Sequence, residues 1–414
     1  MLHLPYLFQN TLNDIPHTSI RWPFIWLILI SFLSSCSTST LVDSTSSRRP
    51  YDFEASTLHP EVVTYLHSGT LSVYIKMDRD ELLYTREGEN TPFTSKLLVQ
   101  LNDERWIWTD TLRSETPRWW SNKFDLTNIL SESAIEDGAW LNFEITDQNR
   151  NSSIKNVAEI RDVLIWNLNE NWPLSNSNAA TGTPLKIISA GPRIWNVSHV
   201  IPQKSLPAPP FSRYRNPLDT LTASAHSIIE EDWITLDGVQ KFTSPSNEIE
   251  FVIYGRHEDF PDAKDVPFLI ESTRYIATRS EYAAMQKASH PKEALDDFWL
   301  SCGKSPEKSK ALIKTYYARV EEANRYFSGV LEGWRTDRGM IHVIHGVPNR
   351  VRRDYWNEYW TYGEEGTSNT LTFRFRRRPH ELDDNAFKLE RNIVFKSTWD
   401  RMVTSWRNGR VQRD

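Results

Sequence analysis

The chain has 414 residues, 39% of them hydrophobic and 25% charged, which is a globular composition too long for one core, so two or three domains are expected. Its formal net charge of -6 gives no general basic excess and argues against nucleic acid as a partner. Seventeen Trp, with 15 Tyr and 18 Phe, point either to large aromatic cores or to stacking platforms for sugars or peptides.

From Trp22 to Leu33 the chain reads WPFIWLILISFL, preceded by Arg21 and followed by small residues. An apolar run of about twelve is too short to cross a bilayer core, which needs about twenty, and suits the apolar region of a secretory signal. The run ends in Leu33-Ser34-Ser35-Cys36, which resembles the lipobox of bacterial lipoproteins. That resemblance implies a signal peptide over residues 1–35, removed as the Cys36 thiol is lipidated. Burying a methylene contributes about 0.8 kcal/mol, so two or three acyl chains would anchor the protein stably. Ser37 after the cysteine, by resemblance to lipoprotein sorting rules, implies the outer membrane and a periplasm-facing body. Residues 36–50 then form a Ser/Thr-rich tether with a typical reach of about 20 Å. Lipid on Cys36 would leave Cys302 as a lone thiol, either reactive or a half-buried residue at a helix end.

Residues 51–166 alternate apolar and polar side chains in short runs. Leu71, Val73, Ile75 and Met77 share one face, as do Leu97, Val99 and Leu101, and Leu141, Phe143 and Ile145. With ELLYTRE, RWIWTDTLR, RWWSNKFDL and VAEIRDVLIW the count reaches about seven strands, the pattern of an immunoglobulin-like sandwich. A second β-rich domain is expected over residues 167–272, its strongest strand carrying Ile249, Phe251 and Ile253. Between its strands, residues 201–217 hold five prolines and read as a crossover or linker. Nothing in either β region has catalytic spacing. The pair Trp119-Trp120 would offer a sugar platform if both rings lay on the surface.

Near Thr278 the period changes from two to 3.6. Thr278 with Glu281 fits a capping box, a second helix follows Pro291, and Ser305-Pro306 opens a third with Leu312, Ile313, Tyr316, Tyr317, Val320 and Phe327 on its core face. Beyond it come Gly333-Trp334-Arg335-Thr336-Asp337-Arg338-Gly339 and MIHVIHGVPN. With TRYIATRSEY, Phe298-Trp299, YYARVEEANRYFSG, EYWTYG and WRNGRV, this ordered set resembles the GWxTD-domain family over about residues 270–414. The resemblance implies a bacterial envelope protein, often with β-rich domains before the motif, and supplies no biochemical activity. Read physically, the motif is a helix-to-strand corner in which Gly333 permits a turn, Trp334 is a packing anchor and Asp337 bonds its own turn. The rival reading makes Asp337, with Arg335 or Arg338, a catalytic or binding pair.

The segment 338–349 is expected to be a strand leading into a turn at Gly346, followed by antiparallel strands EYWTYG and TLTFRFRR. On a strand His342 and His345 would face opposite ways, so no metal site is expected, and no cofactor is implied. Phe373 and Phe375 should point inward. Arg350, Arg352, Arg353, Arg374 and Arg376 would then form a basic patch, in a segment 333–414 with a net charge of about +5.

The expected fold is mainly β with an α+β C-terminal domain: an immunoglobulin-like sandwich, a second β-rich domain, and a GWxTD-like domain over residues 273–414 with helices packed on an antiparallel sheet. The expected role is a non-enzymatic interaction or scaffold component, bound to the membrane through Cys36 and to an envelope protein or glycan. The alternative is a hydrolase or binding protein for an envelope polysaccharide. Because acylation needs the thiol, Cys36→Ala should abolish incorporation of labelled palmitate; incorporation equal to wild type would end the lipoprotein reading.

Overall fold

The structure is a computed structural model that describes residues 58–102, 105–114, 117–127, 140–213, 221, 225–364 and 370–411. The apolar run, Cys36 and the tether lie outside the described residues. Among the described residues no helix is long and apolar enough to cross a membrane.

The first unit is a sheet ordered β4-β3-β6-β7-β1-β2-β5. Its strands are β1 (Glu61–His67), β2 (Thr70–Asp78), β3 (Thr94–Leu101), β4 (Trp106–Arg113), β5 (Trp119–Thr127), β6 (Trp140–Asp147) and β7 (Ser152–Arg161). Ser68 and Gly69 both take positive φ, 49° and 78°, which turns β1 into β2 with the twist that a two-residue hairpin requires. Neighbours are antiparallel except β1 and β7, which run parallel through Thr64 and Tyr65. The expected faces hold: Leu71, Val73, Ile75 and Met77 meet Leu97, Val99, Leu101, Leu141 and Ile145 in one core, so the sheet folds on itself as a two-layer sandwich. Trp108 of one terminal strand meets Trp120 and Phe124 of the other at ring distances of 5.6 and 5.2 Å. Two expected strands differ. ELLYTRE is irregular: Glu81 ends a 3-10 turn begun at Arg79, and Thr85 makes a single bridge to Thr94, while VAEIRDVLIW breaks at Asp162 into β7 and the next strand.

The second unit has two sheets. One holds β8 (Val163–Asn167), β9 (Trp172–Pro173), β11 (Pro184–Ser189) and β14 (Asp232–Ile234); the other holds β10 (Asn178–Ala180), β12 (Trp195–Val200), β13 (Ala225–Ile229), β15 (Gly238–Thr243) and β16 (Glu250–Arg256). Leu185 and Ile187 of the first sheet pack on Trp195, Val197, Phe242 and Ile253 of the second. Tyr74 of β2 reaches across to Trp166 and Trp172, joining the two sandwiches.

Among the described residues six α-helices follow: α1 (Val266–Ser272), α2 (Arg279–Lys287), α3 (Pro291–Gly303), α4 (Pro306–Phe327), α5 (Asp337–His345) and α6 (Lys396–Arg407). They pack against an antiparallel meander of β17 (Arg350–Arg353), β18 (Asn357–Tyr362), β19 (Leu371–Arg377) and β20 (Phe387–Leu389). The Thr278–Glu281 capping box starts α2, and Ser305 caps α4 with Pro306 in its first turn. Trp299, Tyr316, Trp334, Trp360, Phe373, Phe375 and Trp406 form the centre of this core, each at most 1% exposed. The aromatic richness therefore builds a core here. Cys302 is buried at the end of α3, and burial pushes its thiol up.

The Pro-rich crossover packs onto this core through Leu206 and Phe211. Carbonyls of this proline-rich stretch accept from donors of the C-terminal segment: Arg391 bonds Ala208 O at 3.0 Å and the Asn392 N–H bonds Pro210 O at 3.0 Å. On the other side, Val200, Val239 and Tyr254 of the second sandwich meet Val330 and Leu382.

Candidate functional site

The structure overturns the expected helix-to-strand corner. Gly333–Arg335 form a 3-10 turn, Thr336 is an N-cap, and residues 337–345 are the helix α5, not a strand. Thr336 Oγ1 accepts from Gly339 N–H at 3.0 Å, and Asp337 places a carboxylate in the first helical turn, where the helix dipole favours it. Met340, Ile341, Val343 and Ile344 are all fully buried. An apolar run buried on every side satisfies either period, and here the cap decides in favour of helix.

Two glycines explain the tightness of the corner. A Cβ on Gly333 would lie 1.8 Å from the Ala323 carbonyl oxygen in α4, and one on Gly339 would lie 2.0 Å from the Gly333 oxygen. Any side chain at either position would separate α4, the turn and α5. Trp334 is wholly buried, edge-on to Phe268 at 5.7 Å, with its indole N–H on Glu332 at 3.1 Å. Tyr275 hydroxyl closes over its backbone oxygen at 2.6 Å.

The charged residues of the motif are buried as well, and each finds a different counter-charge. Arg335 bonds Glu332 at 2.6 Å and, in bidentate fashion, Glu271 of α1 at 2.7 and 2.5 Å. Burial raises the Glu332 carboxyl, but the guanidiniums of Arg335 and Arg256 outweigh burial and hold it below the usual range. Asp337 accepts from the Leu389 N–H at 2.8 Å and pairs through both oxygens with Arg391. Arg338 reaches Glu358 of β18 at 3.3 Å and Asn385 at 2.8 Å, and lies over the Phe387 ring at 4.2 Å. Burial pushes the Glu358 carboxyl up, while the guanidiniums of Arg338 at 3.3 Å and Arg353 at 3.8 Å favour its charged form.

Asp337 therefore pairs with neither Arg335 nor Arg338, and it is neither a turn-bonding residue nor a solvated ion pair. Its partner lies 54 residues further on. Sequence reasoning missed Glu271, Glu332, Glu358 and Arg391. Glu332 adjoins the motif and was open to notice; the other three have no local signal.

His342 and His345 are corrected with α5. His342 bonds Glu322 of α4 at 2.8 Å, while His345 packs against Tyr362 and Phe373 at 5.4 and 5.2 Å, so the two serve separate contacts. Among the described residues, no three His, Cys, Asp or Glu side chains converge as a metal set.

A cleft with room for about one water molecule lies where the motif meets the second sandwich, and Lys204, Asp237, Arg256, Glu332 and Arg335 border it. Its charges are internally matched: Lys204 pairs with Asp237 at 3.2 Å, and Arg256 bonds the Gly329 and Val330 carbonyls. Residues 238–408 match the family model of the GWxTD domain. The chain carries a GWxTD domain. No curated protein matches the chain. The matched GWxTD domain includes the β15–β16 hairpin, which supplies Arg256 to this cleft.

The remaining candidates lie on the surface of the GWxTD domain or outside it. Phe373 and Phe375 point inward as expected. Arg350, Arg352 and Arg376 are exposed, Arg374 pairs with Glu390 at 3.2 Å, and Arg353 lies 3.8 Å from Glu358. In the first sandwich Trp119 is 48% exposed but Trp120 only 4%, so the two rings do not form one platform.

Two expectations follow from this geometry. Trp334→Ala should destabilise the domain by about 3 to 5 kcal/mol, as for other buried aromatics, and Asp337→Ala by a similar amount because it strands the Arg391 charge. A double-mutant cycle on Asp337 and Arg391 should show coupling above about 1 kcal/mol; strict additivity would refute the pairing. The second concerns acid. Burial, then Arg319, pushes His345 down to about 3 from an ordinary 6.5, so between these values the unfolded chain binds a proton that the folded chain refuses. Stability from this group is present above pH 6.5 and is lost as pH falls, with a slope of at most about 1.4 kcal/mol per pH unit. Thermal melts at pH 7 and 5 should show a smaller loss in His345→Phe than in wild type; equal losses would remove His345 from the acid response.

Proposed function

We propose that the protein is a lipid-anchored, non-enzymatic interaction or scaffold component of the bacterial cell envelope, held at the outer membrane through Cys36 and facing the periplasm. One observation carries the reading: the charged side chains of the GWRTD motif are buried and paired within the protein, so the motif organises the domain and leaves binding to its surfaces. Asp337, the carboxylate that a hydrolase would need, is taken up by Arg391 and the Leu389 N–H. The second sandwich meanwhile presents an edge strand, β13, on which Ile228 is 74% exposed. Edge strands with apolar side chains are surfaces for pairing with another chain.

The partner in this reading is an envelope protein. Crosslinking in intact cells followed by pull-down should recover a discrete set of envelope proteins with the wild-type chain and lose it with Ile228→Lys. Recovery unaffected by that change would move the interface off β13. Turnover of an envelope glycan by the purified protein would overturn the non-enzymatic reading.

A further inference from the structure

The hairpin between β17 and β18 ends in two large rings that face solvent. Tyr355 and Trp356 are each 52% exposed, although this domain buries most of its aromatics. They meet edge to face with centroids 4.5 Å apart. Their backbone is fixed: Asp354 Oδ1 accepts from the N–H groups of Trp356 at 2.8 Å and Asn357 at 2.7 Å, and Arg377 N–H bonds the Trp356 carbonyl at 2.7 Å. A rigid pair of half-bare rings loses little conformational entropy on binding.

Around this tip the charge runs against that of the whole chain. Residues 350–378 hold seven arginines and four acidic residues in a protein of net charge -6. Of the acids, Glu358 is buried and Asp354 is directed at its own turn. Strand register places Arg352 opposite Tyr359 and Tyr359 opposite Arg374, with Arg376 two positions further along the same face of β19. Arg352 lies over the Tyr359 ring at 4.8 Å and Arg377 over the Tyr355 ring at 5.5 Å, which holds guanidiniums beside the aromatic tip.

We infer that this hairpin is a docking site for an anionic lipid surface, with Tyr355 and Trp356 entering the boundary between headgroups and acyl chains and the arginines of β17 and β19 binding headgroup phosphates. The chemistry matches on both counts. Trp and Tyr prefer the membrane interface because one part of the ring system is apolar and another can hydrogen-bond, and guanidinium binds phosphate through paired donors. A soluble acidic partner would use the arginines but gives no reason for two rings to stand in water. This contact is separate from lipid on Cys36 and does not depend on it.

The described residues, 58–411, fall within one compact unit that excludes Cys36 and the apolar run, so a chain of residues 46–414 serves as the test protein. Its co-sedimentation is measured with vesicles of phosphatidylcholine alone and of phosphatidylcholine with phosphatidylglycerol. Partition should rise at least about tenfold on the anionic vesicles and fall as salt is added. Arg352→Glu with Arg376→Glu, and separately Tyr355→Ser with Trp356→Ser, should each return it close to the neutral-vesicle level, with thermal melts near wild type because these side chains are exposed. Equal partition onto both vesicle types overturns the proposal. Loss of binding in the arginine pair but not in the aromatic pair also overturns it, and would assign the surface to a soluble polyanion.

Discussion

Three residues within one stretch of four, Arg335, Asp337 and Arg338, carry full charges into the interior, and the C-terminal architecture follows from the need to neutralise them. A buried charge costs several kcal/mol unless it is paired and hydrogen-bonded. Each of the three therefore draws a separate element to the motif: Arg335 holds α1 through Glu271, Asp337 holds the segment after β20 through Arg391, and Arg338 holds β18 through Glu358. Hydrophobic packing around Trp334 and Trp360 supplies most of the burial, but many arrangements would bury those rings. The ion pairs select one arrangement, because any other leaves a charge without its partner.

The same logic extends past the helices. Arg256, at the end of β16, bonds carbonyls of Gly329 and Val330 just before the motif, and Tyr254 bonds the Leu382 carbonyl at 2.8 Å. The Pro-rich crossover lies against Arg335 and Arg391 on another side. The family match beginning at residue 238 is consistent with these contacts, since β15 and β16 supply groups that the motif region uses.

Local features were legible in the sequence wherever a single element carries its own signal. The capping box at Thr278, the Ser305-Pro306 helix start, the alternation in β2, β3 and β6, and the inward Phe373 and Phe375 all rest on nearest-neighbour chemistry. The reading failed at α5, where Met340, Ile341, Val343 and Ile344 are buried all round and their spacing fits helix and strand alike. Thr336 and Gly339 held the deciding cap. The counter-charges were invisible for a different reason. Glu271 and Arg335 are 64 residues apart, and no periodicity links residues that meet only after the chain has folded. The family resemblance located the motif without revealing whom its charges would meet.

The position of β1 has a bearing on how the chain acquires its structure. As the first described strand it sits inside the first sheet, between β2 and β7, and its parallel partner residues Thr64 and Ile160 are separated by almost the whole sandwich. During synthesis from the N-terminus, β1 and β2 can pair early, but one side of β1 stays open until β7 has emerged. The sandwich must therefore close over a long loop, which slows the pairing of β1 with β7 and leaves a nascent edge in need of protection.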